Sequence, residues 1–271
     1  IEASRPGGLR TRMRILKLGG SVVTDKDKPF TPNTQNIERL AGEVAATMPI
    51  PLVVVHGGGS YGHPVAKQYK ISEGYKNPGQ LAGFSRTHQA MVQLNKIIVD
   101  CLLDAGVPAF SLSPSSFIVT EARRITELDT AKIRLYLGAG MVPVLYGDAV
   151  LDTQQGFAIL SGDQLVMRLA ASLKADRIVL GSDVDGVFTA DPKLVKEARH
   201  IPRLSLKELD GMVKIGEALN TDVTGGMLGK VREAAEAVAA GVEVILVNAG
   251  EVGRVEAALC GEKVMGTVLT R

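Results

Sequence analysis

The chain has 271 residues, 45% apolar and 22% charged, enough to bury one large α/β domain or two lobes and too apolar for intrinsic disorder. Aromatics make up 4% with no Trp, which excludes the exposed stacking platforms of single-stranded nucleic-acid binders. The net charge is +2, and residues 1–12, with three Arg and one Glu, read as an expression-derived or disordered tail whose removal leaves zero, so no basic surface argues for nucleic acid.

The remainder, 13–271, reads as one domain in which buried strands alternate with helices. Arg14–Leu18 (RILKL) is the first strand. Asn36–Thr47 is a helix ended by Pro49, and Pro51–Val55 (PLVVV) is a buried strand. Leu81–Ala105 has helical spacing and stops at Gly106. Pro108–Leu112 is a third strand, and Phe117–Glu121 with Arg123–Thr126 suggests a hairpin. Thr130–Ala139 is a helix, Met141–Tyr146 a strand, Gln164–Leu173 a helix and Arg177–Leu180 a strand. Helices Ser205–Leu219 and Met227–Ala240, strand Val242–Val247 and a final edge strand Val264–Thr267 complete the order. The pattern predicts an α/β fold, an open, mostly parallel sheet sandwiched by helices. Length alone puts a lobe boundary near residue 160. Cys101 and Cys260 read as small buried thiols. No apolar run reaches about 18 residues, there is no signal-peptide pattern, and the expected compartment is the cytoplasm without a membrane partner.

Ligands of open α/β sheets bind at the carboxyl ends of the strands. Unusual residues gather there: Lys17-Leu18-Gly19-Gly20-Ser21 after the first strand, and His56-Gly57-Gly58-Gly59-Ser60-Tyr61-Gly62-His63 after the second. Gly181-Ser182-Asp183-Val184-Asp185-Gly186 is a third cluster, and Thr224-Gly225-Gly226-Met227-Leu228-Gly229-Lys230 leads into a helix. Glycine lets backbone N–H groups approach an anion closely, and a helix N-terminus adds partial positive charge. One such loop is a tight turn; four with flanking lysines describe a site for a polyphosphate and a second anion.

Two familiar motifs are excluded. Gly57-x-Gly59-x-x-Gly62 matches the dinucleotide fingerprint, but no acidic residue follows at the expected distance: residues 77–84 contain none and the third strand runs into Ser113. The Lys230 cluster is not a Walker A loop, because Thr224 replaces its first glycine and Val231 the magnesium-binding hydroxyl.

KLGGS, HGGGSYGH, SGD at 161–163, SDVDGVFTADP at 182–192 and GGMLGKV at 225–231 occur in that order. Together they resemble the amino acid kinase family across essentially all of Met13–Arg271. Within that family, His63 closing the GGGSYGH loop is similar to the archaeal-type isopentenyl phosphate kinases. The resemblance implies one α/β sandwich whose N-terminal half (about 13–160) holds the phosphoryl acceptor and whose C-terminal half (about 161–271) holds ATP, with Mg²⁺ arriving on the nucleotide and no protein metal cage. It implies isopentenyl phosphate as acceptor and a homodimer as the assembly.

The resemblance further implies that Lys17 and Lys230 contact the transferred phosphoryl from opposite sides and that Asp163 organises them. Asp148 is a rival organiser because it too ends a strand, and Asp163 is open to a simpler reading as a helix cap. Lys26, in TDKDKP, is a third cation, equally readable as a solvated loop charge. His63 follows three glycines at the start of a helix, and the resemblance implies that it donates to the acceptor phosphate. His56 reads as a turn residue, His88 as a helix position and His200 as surface. Gly162 is expected to offer its N–H to the acceptor. Gly57, Gly59 and Gly62 are assigned to the acceptor, and Gly19, Gly20, Ser21, Gly58 and Gly226 to ATP. Ser182, Asp183, Asp185 and Gly186 border the nucleotide and Asp191 its base or ribose, with Asp185-Gly186 equally readable as a turn. Phe84 and Ile159, with Val150 behind them, are family-guided walls for an apolar tail, each equally readable as core. Other acceptors on the same fold, such as a phosphonate like fosfomycin, another phosphomonoester or a carboxylate, are the alternative, as is a non-catalytic nucleotide-binding protein.

Overall fold

A parallel strand covered by helices on both faces is apolar along its whole length instead of alternating. RILKL at Arg14–Leu18 (β1) and LVVVH at Leu52–His56 (β2) are such runs, and every residue of both is buried. The computed structural model describes residues 12–190, 195–209, 211 and 227–271. After β1 come helices α1 (Gly20–Val23) and α2 (Thr34–Ala46), then β2, α3 (Gly59–Gln68), α4 (Gly79–Asp104) and β3 (Ala109–Ser111). Next are β4 (Ile118–Glu121), β5 (Arg124–Leu128), α5 (Ala131–Gly138), β6 (Val142–Tyr146), β7 (Asp148–Asp152), β8 (Gly156–Leu160) and α6 (Gly162–Leu173). The rest are β9 (Arg177–Ser182), β10 (Val187–Phe188), β11 (His200–Ile201), β12 (Arg203–Ser205), α7 (Met227–Ala239), β13 (Glu243–Asn248), α8 (Arg254–Cys260) and β14 (Thr267–Thr270).

Eight strands make one sheet in the order β12-β14-β13-β9-β1-β2-β6-β3. All neighbours are parallel except β13 and β14. The strands before residue 160 fill one half of this sheet and those after it fill the other. Alternate strand residues face opposite cores. Ile15, Val53 and Val55 meet Leu165, Leu169, Ala234 and Val238 of α6 and α7 on one face. Leu16, Leu52 and Val54 meet Leu40, Leu94, Ile98 and Val255 of α2, α4 and α8 on the other.

The alternation of strand and helix does not run from end to end. Residues 118–160 include a four-stranded sheet, β5-β4-β7-β8, built from two antiparallel pairs joined by a parallel one. The expected hairpin at 117–126 is present as β4–β5, whereas β7 and β8 have no counterpart in the sequence reading; acids begin and end β7. Those acids are buried and compensated: Asp152 accepts from the Thr120 hydroxyl at 2.8 Å and from the Arg123, Gln154 and Gln155 amides at 2.8, 3.0 and 3.0 Å. The last strand is Thr267–Thr270, not Val264–Thr267, and it lies between β12 and β13, not at an edge. Cys101 is half-buried and Cys260 exposed, so the second thiol does not belong to the core. The helix expected at Ser205–Leu219 is helical at 206–209 and lies mostly outside the described residues, as do residues 1–11.

Helix α8 is anchored by charge at both ends. Glu43, a buried residue of α2, accepts from the Gly253, Val255 and Glu256 amides at 3.0, 3.0 and 3.1 Å and pairs with Arg39. Its carboxylate satisfies the open N–H groups of α8 from another helix, where a negative charge also meets the positive helix end. At the far end, Arg14 and Arg177 donate to the Leu259 and Ala258 carbonyls at 3.2 and 2.6 Å. Removing one partner of a buried hydrogen bond costs the desolvation of the group left behind. Glu43→Ala strands three amides and is expected to lower unfolding stability by about 2–3 kcal/mol. Denaturant titration reads this directly, and a loss below about 0.5 kcal/mol, the range of an ordinary surface change, contradicts the role assigned to Glu43.

Candidate active site

The carboxyl ends of β1, β2, β6 and β9 stand in one row. Gly57 N–H donates to Leu18 O at 2.9 Å, Gly19 N–H to Gly181 O at 2.9 Å, and Gly147 N–H to His56 O at 3.0 Å. The ladders thus run one step beyond the strands and bring their glycines side by side. A Cβ on Gly20 would lie 2.4 Å from Gly59 N, and one on Gly57 would lie 2.8 Å from Gly20 N. The two turns touch backbone to backbone, a contact open only to glycine. Thr24 staples them: its hydroxyl donates to Gly20 O at 2.7 Å and accepts from Ser60 N–H at 3.0 Å.

Above this contact opens a cleft of about 640 Å³. Helices α1, α3, α6 and α7 all present residues of their first turns to it, so their positive ends converge on one volume. Neither Gly19 nor Gly58, the N-caps of α1 and α3, carries a side-chain cap. The N-cap of α6 is Ser161, whose hydroxyl accepts from Asp163 N–H at 3.2 Å. Asp163 is therefore not the cap. Its carboxylate turns to Lys17, with Oδ1 2.8 Å from Nζ and the Lys17 side chain only 6% exposed.

Positive charge dominates the centre. Lys230, one turn into α7, is held below its ordinary value first by burial and then by Lys17 and Lys26, with Asp163 and Asp183 opposing. His63 is open to the mouth of the cleft, yet desolvation by the walls, then Lys17 and Lys230, depress its imidazole below 6.5. It is the fifth residue of α3 and does not start that helix. At the rim Lys26 lies 3.0 Å from Asp183. Burial would raise the Asp183 carboxyl, but Lys26 outweighs it and holds the group at about 2. Both side chains are well exposed, so this pair adds little stability.

Most residues singled out in the sequence line this cleft: Lys17, Gly19, Gly20, Ser21 and Lys26 from the first loop, and Gly57, Gly58, Gly59, Gly62 and His63 from the second. Ile159, Gly162, Asp163, Ser182, Asp183, Gly186 and Lys230 line it as well. Gly186 has φ +127°, and a Cβ there would lie 2.4 Å from Thr267 Oγ1, so the position demands glycine whatever it binds. Asp191 and Gly226 lie outside the described residues.

Others are placed elsewhere. Asp185 turns its carboxylate away to Asn248 Nδ2, at 3.1 Å, and to Arg254. Phe84 does not line the cleft; it stacks on Phe157 at 5.2 Å, one layer behind Ile159. Val150 is fully buried core. His56 is not a turn residue but the buried end of β2. Asp148 does line the cleft, but its partner is not a lysine: both carboxylate oxygens lie 3.0 Å from His88 Nδ1 and the Ala149 amide donates at 2.8 Å. His88, expected only as a helix position, is raised above its ordinary value chiefly by that bond. His200 is half-buried in β11, edge-on to Phe188.

The cleft is also lined by Ala66, Thr87 and Met91, which the sequence reading missed. Thr87 and Met91 follow Phe84 at i+3 and i+7 on α4, and that helical spacing is the signal that could have found them. Among the described residues no group of three or more His, Cys, Asp or Glu could hold a metal ion, and no helix is long and apolar enough to cross a membrane.

A model of the amino acid kinase family matches residues 12–248. The isopentenyl phosphate kinase of Methanothermobacter thermautotrophicus is 44% identical over 95% of this chain and 99% of its own length. That of Methanocaldococcus jannaschii is 40% identical over 81% of this chain and 85% of its own. A crystal structure described as isopentenyl phosphate kinase, 42% identical, superposes with a TM-score of 0.84 over 95% of this chain and 100% of that one.

The charge cluster has a direct consequence. Lys230→Met removes one of the two ammonium groups that depress His63, so the His63 titration should move up toward 6.5. Proton NMR of the unliganded variant reads the midpoint. A midpoint that stays or falls contradicts the coupling.

Proposed function

The chain belongs to the amino acid kinase family, and on that premise we propose that it transfers the terminal phosphoryl group of ATP to isopentenyl phosphate, giving isopentenyl diphosphate and ADP. The observation that carries the reading is the convergence of Lys17, Lys230 and His63 in one cleft whose lining also includes Ala66, Met91 and Ile159. Like charges held together are stabilised by an anion, and the phosphate groups of the two substrates supply one. Those apolar lining side chains suit a short hydrocarbon tail in place of an amino-acid head group.

The chemistry needs no general base. An acceptor phosphate oxygen attacks the γ-phosphorus while the bond to the β–γ bridging oxygen breaks, and the departing pair remains on ADP. Catalysis is then positioning and charge neutralisation. Lys17 and Lys230 take opposite sides of the transferred group, and Asp163 fixes Lys17. His63 and the Gly162 N–H hold the acceptor phosphate, assisted by Gly57, Gly59 and Gly62. Gly19, Gly20, Ser21 and Gly58 cradle the ATP phosphates, and Ser182, Asp183 and Gly186 border the nucleotide, with Lys26 on the same side. The acceptor is held mainly by about 13–160, with Gly162 added, and the nucleoside end of ATP by about 161–271, while the ATP phosphates reach back to the first two glycine turns. When bound with the nucleotide, Mg²⁺ would supply neutralisation of the charge on the transferring phosphoryl group. Asp163 and Asp183 supply hard oxygen donors near it, but each already faces a lysine, which fits a metal carried mainly by the nucleotide. Cytoplasmic location and pairing into a homodimer belong to the same proposal, carried by the family likeness alone.

ADP release with isopentenyl phosphate, measured beside dimethylallyl phosphate, fosfomycin, acetylglutamate and UMP at matched concentration, tests the assignment. A clear preference for the two isoprenoid phosphates is expected; turnover of another acceptor alone overturns it. In the same assay Lys230→Ala should lower kcat roughly 10²–10³-fold, and His63→Ala should impair acceptor use more than ATP binding. Near-normal turnover of either variant removes that residue from its role.

A further inference from the structure

Behind the second glycine turn lies a polar chain, buried at His56 and Asn95 and reaching the surface at Ser111, that the transfer chemistry does not use. His56 is fully buried. Its Nδ1 lies 3.0 Å from the Gly57 carbonyl oxygen and its Nε2 lies 3.2 Å from Asn95 Oδ1. Asn95, on α4 and 2% exposed, places Nδ2 beside the Ser111 hydroxyl of β3. As drawn, both ring nitrogens face oxygens. Only an imidazolium donates twice, and burial pushes this ring down to about 4, so it is neutral with a single proton.

One arrangement lets every member of the chain pair. The oxygen and nitrogen of a side-chain amide are alike in shape, and their assignment follows from the network. With the Asn95 amide turned over, its N–H donates to His56 Nε2 and its oxygen accepts from the Ser111 hydroxyl. The ring proton then sits on Nδ1 and is donated to Gly57 C=O. The opposite tautomer sets the Nδ1 lone pair 3.0 Å from the lone pairs of that carbonyl, which is repulsive.

The consequence reaches the cleft. In a trans peptide the C=O and the next N–H point in opposite directions. The Gly57 carbonyl is held inward by His56, so the Gly58 N–H of the same peptide is turned the other way, on the side where Gly57, Gly58 and Gly59 line the cleft. We infer that His56 is a positioning residue whose Nδ1–H locks the Gly57–Gly58 peptide so that the Gly58 N–H stands preset toward a phosphate oxygen, with Asn95 and Ser111 fixing the tautomer. Glycine needs such a lock because, with no Cβ, its peptide turns over at little cost. A turned peptide would aim a carbonyl at an anion. The inference rests on reading this turn as the phosphate cradle, and its first test is independent of the acceptor.

Long-range proton–nitrogen NMR on the unliganded wild-type protein with ¹⁵N-labelled histidine reads the tautomer. A proton on Nδ1 and a bare Nε2, unchanged from pH 8 to pH 5, is expected; a proton on Nε2, or a cation at neutral pH, overturns the inference. Kinetics with ATP and isopentenyl phosphate give the second test. His56→Phe keeps the ring volume and removes the donor, while His56→Asn restores an N–H near the Nδ1 position and loses the ring. The Phe variant should lose kcat roughly 10–10²-fold and the Asn variant should recover most of it. Thermal stability should rank the two the other way, Phe above Asn. Activity that follows the stability order overturns the positioning role.

Discussion

The contact on which the site depends is between two backbones. Gly20 and Gly59 are so close that a methyl group on Gly20 would fall 2.4 Å from the Gly59 nitrogen. Adjacent parallel strands make this approach available, because β1 and β2 end in register, Leu18 opposite His56. The largely apolar cores on both faces of the sheet hold the strands there, and the Thr24 hydroxyl ties the two turns together above it. Only after the turns are pressed together do the first-turn amides of α1 and α3 face one volume. The phosphate site is therefore built first from main chain, and side chains complete it.

That arrangement then has to tolerate its own charge. Lys17 is buried within β1, Lys230 comes from α7 and His63 from α3, and each depresses the protonation of another or is depressed by it. The single close counter-charge at the centre is Asp163, 2.8 Å from Lys17 among the described residues. Ser161 caps α6 in its stead, which frees the Asp163 carboxylate for that ion pair. The resulting field is unbalanced in the empty protein and balanced by bound phosphates. An unbalanced charge cluster of this kind favours ligand over the isolated fold and is a recurrent mark of sites under functional constraint.

Much of this was legible because its causes are local. β1 was read at Arg14–Leu18 and observed there, since a strand covered on both faces announces itself as a continuous apolar run. The glycine loops were legible for the same reason, as turns between such runs. What the sequence hid depends on partners far along the chain. Asp148 was read only as the end of a strand, and Asp152 carried no reading; Asp148 is compensated by His88, 60 residues away, and Asp152 by Thr120, 32 residues away. Asp185 was placed at the nucleotide by its neighbours in sequence, whereas Asn248 and Arg254, 63 and 69 residues on, draw it aside. Phe84 sits on the correct helix, α4, but stacks on Phe157 outside the cleft lining, whereas Thr87 and Met91 reach the cleft. Direction along a helix was readable; depth was not.

The central claim is that the protein does nothing covalent itself: it presses two phosphate groups together and lets one attack the other in line. Stereochemistry at the transferred phosphorus tests this most directly. ATP made chiral at the γ-phosphorus with oxygen isotopes and sulfur would be turned over with isopentenyl phosphate, and the configuration of the product read by phosphorus NMR. A single direct displacement between Lys17 and Lys230 predicts inversion. Retention would require two displacements through a phosphorylated enzyme group, and would contradict the account.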